Sequence, residues 1–152
     1  WFNDLCMSLA QRVSAPEVSF IKDNPYDKLV TTLDKIRIQQ VITNFVTNAV
    51  KYTQTGHIKV GIKVKDNGLF AYCEDTGTGI PEDKQDSIFE RFVKLNSFVQ
   101  GTGLGLSICK TIIEKCKGRI GVKSQEGQGS TFWFWVPCKI ENVSTNSNGG
   151  GI

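Results

Sequence analysis

Residues 39–53, QQVITNFVTNAVKYT, carry an apolar stripe at helical spacing with polar residues along one edge. The apolar residues recur at three- and four-residue intervals, which is typical of a helix with one buried face. They are Ile38, Val41, Ile42, Phe45, Val46, Ala49 and Val50. Asn44, Asn48 and Lys51 fall together beside this stripe. The sequence therefore predicts a helix capped by Asp34, with a polar edge next to the core.

The polar edge has the chemistry to hold phosphates and a metal ion. Carboxamide oxygens are hard ligands that suit Mg²⁺, which keeps water and phosphate oxygens for its remaining positions. Lys51 adds a positive charge for phosphate. The alternative is a solvated helix edge. Asparagine is a poor helix former, however, so two of them in mid-helix favour a functional role.

An aspartate and a glycine-rich turn follow the next predicted hairpin. Residues 57–65 alternate apolar and polar side chains, and Asp66-Asn67-Gly68 predicts a tight turn. The returning strand, 69–74, leads into DTGTGI at 75–80. An aspartate at a strand end can accept a hydrogen bond from the amine of adenine, and glycines let a base approach the backbone. For this segment alone, a tight turn with a solvated aspartate remains open.

A third segment, GTGLGL at residues 101–106, opens another predicted helix. Glycines here leave backbone N–H groups free for phosphate, and a helix N-terminus favours an anion. No strand precedes the segment, no acidic residue follows at the dinucleotide-binding distance, and the chain lacks a GxxxxGK[ST] string. These absences disfavour the best-known nucleotide folds. Ile80 and Leu106 are candidates to line an apolar base pocket.

The rest of the chain predicts one domain with flanking segments. We expect residues 1–15 to be the end of a linker helix, 16–138 the domain, and 139–152 a disordered linker or tail. Further expected elements are a strand at 18–21, a short helix after Pro81, a helix at 104–117 and strands at 119–124 and 130–136. The inward residues of the 104–117 helix are Ile108, Ile112, Ile113 and Cys116, with Gly118 as its C-cap.

Bulk properties exclude several classes of function. A formal net charge of +3 on 152 residues, with scattered lysines, is too weak to indicate a nucleic-acid partner. No apolar run could span a bilayer and no signal peptide is evident, so we expect a cytoplasmic location without direct membrane contact. Five cysteines without a paired spacing are expected to be reduced core residues. The one histidine, His57, begins a strand, so a cysteine nucleophile is not expected.

Aromatic residues mark two further places. Phe89 and Phe92 flank Glu90-Arg91 and are expected to anchor the following loop, from which Arg91 and Lys94 could reach a terminal phosphate. Trp133 and Trp135 lie on one side of the last strand, opposite Phe132, Phe134 and Val136. They either cover a hydrophobic layer or, if partly exposed, mark a docking surface.

Together these segments resemble the catalytic ATP-binding domain of two-component sensor histidine kinases. That group belongs to a superfamily with DNA gyrase, heat-shock chaperone and mismatch-repair ATPases. The likeness covers roughly residues 16–137. QQVITNFVTNAVKYT resembles the N box, EDTGTGIPE the first glycine box, IFERF the phenylalanine box, GTGLGL the second glycine box and GQGSTF the last glycine motif. IFERF and the GTGLGLSICK continuation favour histidine kinases within the superfamily.

The resemblance implies an α/β two-layer sandwich of the Bergerat type, also described as α+β. A mixed, mostly antiparallel sheet is covered on one face by three helices, and ATP lies under a lid at residues 93–100. The implied activity is that of a protein histidine kinase using ATP and Mg²⁺. Alternatives on the same fold are an anti-sigma-type serine kinase, an ATP-driven conformational ATPase and a degenerate domain that binds without catalysis.

The resemblance also implies a role for each motif residue. Asn48 would bind Mg²⁺, Asn44 would assist at metal or phosphate, Lys51 would contact phosphate and Tyr52 would pack on adenine. Asp75 would bind the adenine amine, assisted through water by Thr131. Residues implied to shape the base pocket or the phosphate loop are Gly77, Gly79, Ile80, Gly101, Thr102, Gly103, Leu104, Gly105 and Leu106. Asn44, Arg91 and Lys94 are the catalytic candidates.

The family's phosphate acceptor defines the expected partners. It is a histidine on a separate helical hairpin that also dimerises the kinase, whereas His57 follows the N box on a strand. We therefore expect a dimerisation and phosphoacceptor domain outside these residues, and a response-regulator receiver domain as the next partner. The fragment is expected to be a monomer, and the full-length kinase a homodimeric, membrane-bound sensor.

Overall fold

The described part of the chain alternates helices and strands. The structure is a computed structural model that describes residues 1–90 and 105–145. Its helices are α1 (Phe2–Ala10), α2 (Lys35–Tyr52), α3 (Glu82–Gln85) and α4 (Gly105–Lys115). Its strands are β1 (Val18–Asp23), β2 (Tyr26–Thr32), β3 (Gly56–Lys65), β4 (Gly68–Asp75), β5 (Arg119–Gln125), β6 (Gly129–Pro137) and β7 (Lys139–Thr145). Within these ranges no helix is long and apolar enough to cross a membrane.

A five-stranded mixed sheet forms the centre of the fold. Its strand order is β1-β3-β4-β6-β5, with β1 parallel to β3 and the remaining neighbours antiparallel. We call the face that packs against α2 and α4 the inner face, and the opposite one the outer face. Period-two alternation places apolar residues on the inner face of each central strand. The predicted α/β sandwich is confirmed.

Helix α2 is the main contact between helices and sheet. The predicted N-cap is confirmed, because the Asp34 carboxylate accepts a hydrogen bond from the Arg37 N–H at 3.2 Å. Phe45, 1% exposed, packs against two inner-face rings of β6, with centroid distances of 5.5 Å to Phe132 and 6.2 Å to Phe134. These aromatic contacts fix the polar edge of α2 relative to the sheet.

Two glycines on the outer face give space to aromatic rings. Gly61 on β3 lies beneath Tyr72, and Gly121 on β5 lies beneath Trp133, so a β-carbon at either glycine would overlap the ring. The Tyr72 hydroxyl extends across Gly61 and donates a hydrogen bond to the Asp23 carboxylate on β1. An aromatic row therefore runs across the strands on the face opposite the helices.

The structure differs from the expected pattern in three places. Residues 139–145, expected to be a disordered tail, form β7, which pairs antiparallel with β2 in a separate two-stranded sheet. Ile108, expected inward, is 39% exposed, because Cys109 occupies the buried position of α4 at that turn. The left-handed residue that ends α4 is Lys117, at φ 63°, rather than Gly118. Glycine is instead required at position 118 because a β-carbon there would overlap the Trp135 carbonyl oxygen.

Candidate functional site

The C-terminal end of α2 meets the glycine-rich turn after β4. The Thr78 N–H donates to the Tyr52 carbonyl at 3.2 Å. Gly77 lies so close to that carbonyl and to the Thr53 hydroxyl that a β-carbon would overlap them. Gly79 has φ +71° and sits against the Gln125 carbonyl, a position suited to glycine alone. The first two predicted segments are therefore in direct contact.

Asp75 lies at the end of β4 on the inner face and is 5% exposed. Its Oδ1 accepts a hydrogen bond from the Gly77 N–H at 2.9 Å, which closes the turn. Burial raises the pKa of Asp75, and hydrogen bonds from the Gly77 and Ser130 backbones partly oppose that rise. Burying a carboxylate is costly, and a ligand N–H donor would reduce that cost.

Asn44 joins α2 to the start of α4. Its Nδ2 donates to the Gly105 carbonyl at 3.4 Å and approaches the Cys109 sulfur at 3.5 Å. Gly105 and Leu106 are the described residues of the third predicted segment, and Leu106 packs against the core. The polar edge of α2 therefore touches both glycine-rich segments.

Asn48, one helical turn beyond Asn44, leaves a buried polar atom unpaired. Its Nδ2 has no hydrogen-bond partner in the part of the chain that the structure describes, and the same holds for the Thr53 hydroxyl. Native proteins seldom leave such groups unsatisfied without a ligand or a function. The unpaired Nδ2 is a donor that suits a phosphate oxygen, and the oxygen of the same carboxamide is a hard atom of the kind that Mg²⁺ prefers.

The metal ion would depend on the nucleotide for most of its ligands. Residues 1–90 and 105–145 contain no group of three or more His, Cys, Asp or Glu side chains that could hold a metal ion. A carboxamide alone is a weak ligand for a dication. A Mg²⁺ ion would fit here only together with bound phosphates, and Asn48 could supply its protein ligand.

Ser124 is a structural support of the site that the sequence did not reveal. Its hydroxyl accepts a hydrogen bond from the Ile80 N–H at 2.8 Å and lies 2.9 Å from the Gly129 carbonyl and 2.8 Å from the Ser130 hydroxyl. Gln85 Nε2 donates to the Ile80 carbonyl at 2.9 Å and to the Ser124 carbonyl at 3.1 Å. These bonds attach the turn after Asp75 to β5 and β6.

Replacing Ser124 with alanine should loosen that turn. The Ile80 N–H would lose its acceptor, and we expect a loss of about 1–2 kcal/mol in the free energy of unfolding and a several-fold weaker affinity for ATP. Thermal unfolding and isothermal titration calorimetry measure the two effects. Ser87→Ala, which removes a hydroxyl that donates to Lys84 O at 3.2 Å, is the matched control. An unchanged affinity in a destabilised Ser124→Ala protein would refute the positioning role.

The expected assistance of Thr131 to Asp75 requires a correction. Asp75 pairs with Ser130, whereas Thr131 pairs with Glu74. Successive side chains point to opposite faces, so Thr131 lies on the outer face with Trp133, and Ser130 shares the inner face with Asp75. Ser130, 7% exposed, is therefore the hydroxyl residue beside Asp75.

Some of the other predicted site residues lie within the described ranges and some lie outside them. Lys51 is exposed at the last turn of α2, and Ile80 is 2% exposed within the core. The predictions for Arg91, Phe92, Lys94, the lid and Gly101–Leu104 lie outside the described residues. The buried thiols are not suited to act as nucleophiles, because burial raises the pKa of Cys6 to about 11 and of Cys109 to about 12.

The fold and the site together define a nucleotide-binding domain of the α/β sandwich class. Residues 33–140 match the family described as histidine kinase-, DNA gyrase B- and HSP90-like ATPases. The chain belongs to this family, and the resemblance to the ATP-binding domain of sensor histidine kinases is confirmed. Membership identifies ATP as the nucleotide for which the site is built.

Several similar proteins are named as sensor or histidine kinases. The chain is 38% identical over 136 residues to the sensor protein kinase WalK of Staphylococcus saprophyticus, covering 84% of this chain and 22% of that protein. The catalytic domain of the histidine kinase ThkA is 30% identical with a TM-score of 0.77, covering 90% of this chain and 89% of that one. Full-length ShkA, whose crystal structure is a complex with AMPPNP, is 27% identical to this chain with a TM-score of 0.82. The match covers 95% of this chain and 30% of ShkA.

Proposed function

We propose that this chain binds Mg-ATP and presents its γ-phosphoryl group to a histidine on a dimerisation domain. The observation that carries the proposal is the convergence on α2: Thr78 N–H bonds to Tyr52, and Asn44 bonds to Gly105. This convergence brings the base-reading carboxylate and the phosphate-binding segment to one helix. The chain spans 22% of WalK, whose name is that of a sensor protein kinase, so the activity of the whole protein is part of the proposal.

The proposed residue roles combine the family resemblance with the contacts described above. Asp75, beside Ser130, accepts the hydrogen bond of the adenine amine, with Gly77, Gly79 and Ile80 forming that side of the pocket. Tyr52 packs on the base. We further propose that Leu106 lines the pocket and that the glycine-rich residues 101–105 bind phosphate.

The phosphate end of the site is formed by α2. Asn48 is the proposed Mg²⁺ ligand, Asn44 assists at metal or phosphate, and Lys51, exposed at the helix end, contacts phosphate. Mg²⁺, when bound, neutralises charge that develops on the phosphates. Arg91 and Lys94 are proposed to approach the terminal phosphate.

The chemistry is a phosphoryl transfer in which the protein supplies position and charge. An imidazole nitrogen of the acceptor histidine attacks the γ-phosphorus in line, the bond to the β-phosphate oxygen breaks, and ADP leaves. No nucleophile of this chain is required, which agrees with thiols whose pKa values are raised by burial. Without the acceptor domain, the chain should turn ATP over slowly or not at all.

The proposed partners are a dimerisation and phosphoacceptor domain and, after it, the receiver domain of a response regulator. Residues 1–15 are proposed to be the end of the linker helix from that dimerisation domain, and residues 16–138 the catalytic domain. We propose that the chain alone is a monomer that works in the cytoplasm, and that the full-length kinase is a homodimeric membrane sensor.

The experiment is a phosphoryl transfer in trans. The full 152-residue chain is mixed with γ-labelled ATP, Mg²⁺ and the histidine-bearing hairpin domain of a related sensor kinase. We expect label on the hairpin domain that is lost in acid and retained in base, as a phosphohistidine requires. A hairpin domain with glutamine at the acceptor histidine is the matched control and should stay unlabelled.

Two results would contradict the proposal. Acid-stable label would indicate a hydroxyl acceptor and thus a serine kinase. ATP binding without transfer to any hairpin domain tested, including one from a close relative, would indicate a domain that binds without catalysis.

A further inference from the structure

The outer face of the sheet carries an aromatic surface that the nucleotide site does not use. Phe70 and Tyr72 on β4 and Trp133 and Trp135 on β6 are half-buried there, while α2 and α4 pack on the opposite face. The Phe70 and Trp133 rings are stacked, with centroids 5.9 Å apart. Half-buried aromatic clusters of this kind are enriched at protein interfaces.

A groove crosses this surface. It has a volume of about 450 Å³ and is floored by Phe70, Trp133 and Trp135. Its walls are Lys65, Asp66, Arg119, Lys123 and Thr131. Lys65 Nζ lies 5.8 Å from the Phe70 centroid, and the Arg119 guanidinium lies 5.1 Å from that of Trp135. The groove is thus lined by aromatic rings and three cations, with one carboxylate, Asp66, among the lining residues.

The charges of the outer face are unbalanced. Its cations are Lys59, Lys63, Lys65, Arg119 and Lys123, and none is within ion-pair distance of a carboxylate in residues 1–90 and 105–145. Two of its carboxylates have partners, because Asp23 accepts from Tyr72 and Glu74 lies 2.7 Å from His57, and Asp66 in the groove wall adds a third negative charge against the five cations. The unpaired positive charge favours an acidic partner.

The spacing of the cations indicates the shape of that partner. Arg119 and Lys123 are four residues apart on β5, about 13 Å, and point to the same face. Gly121 lies between them, and the Trp133 ring covers it, so the surface between the two cations is aromatic. An extended segment whose side chains alternate at the same spacing would place two carboxylates on the cations and an apolar side chain against the Trp133 ring between them.

We propose that the outer face binds an extended acidic protein segment in which two carboxylates flank an apolar or aromatic side chain at two-residue spacing. Single-stranded nucleic acid fits less well. Stacking bases need open ring faces, whereas Arg119 and Lys65 already lie over Trp135 and Phe70. The net charge of +3 is also small for a phosphate backbone. The proposal does not depend on the phosphoryl-transfer function.

The test is a titration of the full ¹⁵N-labelled chain with a capped peptide, Asp-Thr-Phe-Thr-Asp, followed by NMR. The Trp133 and Trp135 indole N–H signals should shift, while that of Trp1, which donates to Gln39, should not. A peptide with lysines in place of the aspartates, and one with the order Asp-Asp-Thr-Phe-Thr, are the chemical controls. Lys123→Glu should weaken binding about fivefold or more, and Lys28→Glu on β2 should leave it unchanged.

The outcomes separate the alternatives. Shifts confined to the outer face, lost with the lysine peptide and weakened by the altered spacing and by Lys123→Glu, would support the proposal. No shift, shifts elsewhere, or equal weakening by Lys28→Glu would overturn it. Tighter binding of a single-stranded oligothymidylate to the same signals would also overturn it, since the partner would then be nucleic acid. Unchanged ATP affinity of Lys123→Glu verifies that the variant is folded.

Discussion

Replacing Asp75 with asparagine should weaken ATP binding by about ten- to a hundredfold or more, while the nucleotide-free domain becomes no less stable. A hydrogen bond to a charged acceptor contributes about 1.5–3 kcal/mol. Asparagine has a single acceptor oxygen, so it cannot serve both the Gly77 N–H and the adenine amine. Its NH₂ group would face one of these donors.

The stability of the same variant follows from the raised pKa of Asp75. Because the folded pKa lies above the unfolded value of about 3.9, the folded protein binds more protons in the window between the two. The free energy of unfolding should therefore fall as the pH rises through that window, and the loss persists at neutral pH. Asp75→Asn removes this contribution, so its stability should exceed the wild-type value more at neutral pH than at low pH.

Calorimetric titration with ATP and thermal unfolding at several pH values measure the two effects. Asp83→Asn, an exposed carboxylate in α3, is the matched control and should alter neither. Loss of both binding and stability in Asp75→Asn would show that the carboxylate is needed for folding, and would contradict its assignment as a ligand-reading group.

Replacing Asn48 with alanine should abolish the part of ATP affinity that depends on Mg²⁺. In the wild type, adding Mg²⁺ should tighten ATP binding, because the metal ion joins the phosphates to the carboxamide. In the variant that gain should vanish. Since Asn48 Nδ2 is buried and unpaired in the described structure, its removal should also leave the nucleotide-free domain unchanged or slightly more stable.

ATP titrations in the presence of Mg²⁺ and in the presence of a chelator measure the part of the ATP affinity that depends on the metal ion. Thr43→Ala, another half-buried polar residue of α2, is the control and should keep the full response to Mg²⁺. A Mg²⁺ response of wild-type size in Asn48→Ala would refute the assigned ligand. Nearby Asn44 would then be the candidate, because its carboxamide also lies on the polar edge.

The sequence predicted those parts of the fold whose signals are local. The stripe of α2, the Asp66-Asn67 turn and the alternation of β3 each reflect a repeat within a few residues. Both turn residues have positive φ, 49° and 56°, as a tight hairpin requires. The position of Asp75 at a strand end and the glycine turn after it were also predicted, because both depend on the chain immediately around them, while their roles at the base stay predictions.

The sequence did not predict features that depend on distant partners. Residues 139–145 are polar and resemble a linker, yet their backbone finds its hydrogen bonds on β2, more than a hundred residues earlier. Ser124 belongs to no recognisable motif. Its supporting role depends on the Ile80 N–H, which is distant in sequence and donates a hydrogen bond to its hydroxyl. The correction from Thr131 to Ser130 could have been made from the sequence. Side chains alternate along a strand, so Ser130 lies on the same face as Phe132, which faces the helices.

Gly61 and Gly121, which lie beneath the rings of Tyr72 and Trp133, favour the correct strand pairing over shifted pairings during folding. If β3 slid by one residue against β4, Val60 or Ile62 would lie where Gly61 now admits the Tyr72 ring, and the apolar set of β3 would turn toward water. Gly121 imposes the same condition on β5 against β6. The two glycines therefore help to set the strand register. A shifted pairing of the central strands is disfavoured by steric overlap with the aromatic rings as well as by exposure of apolar residues.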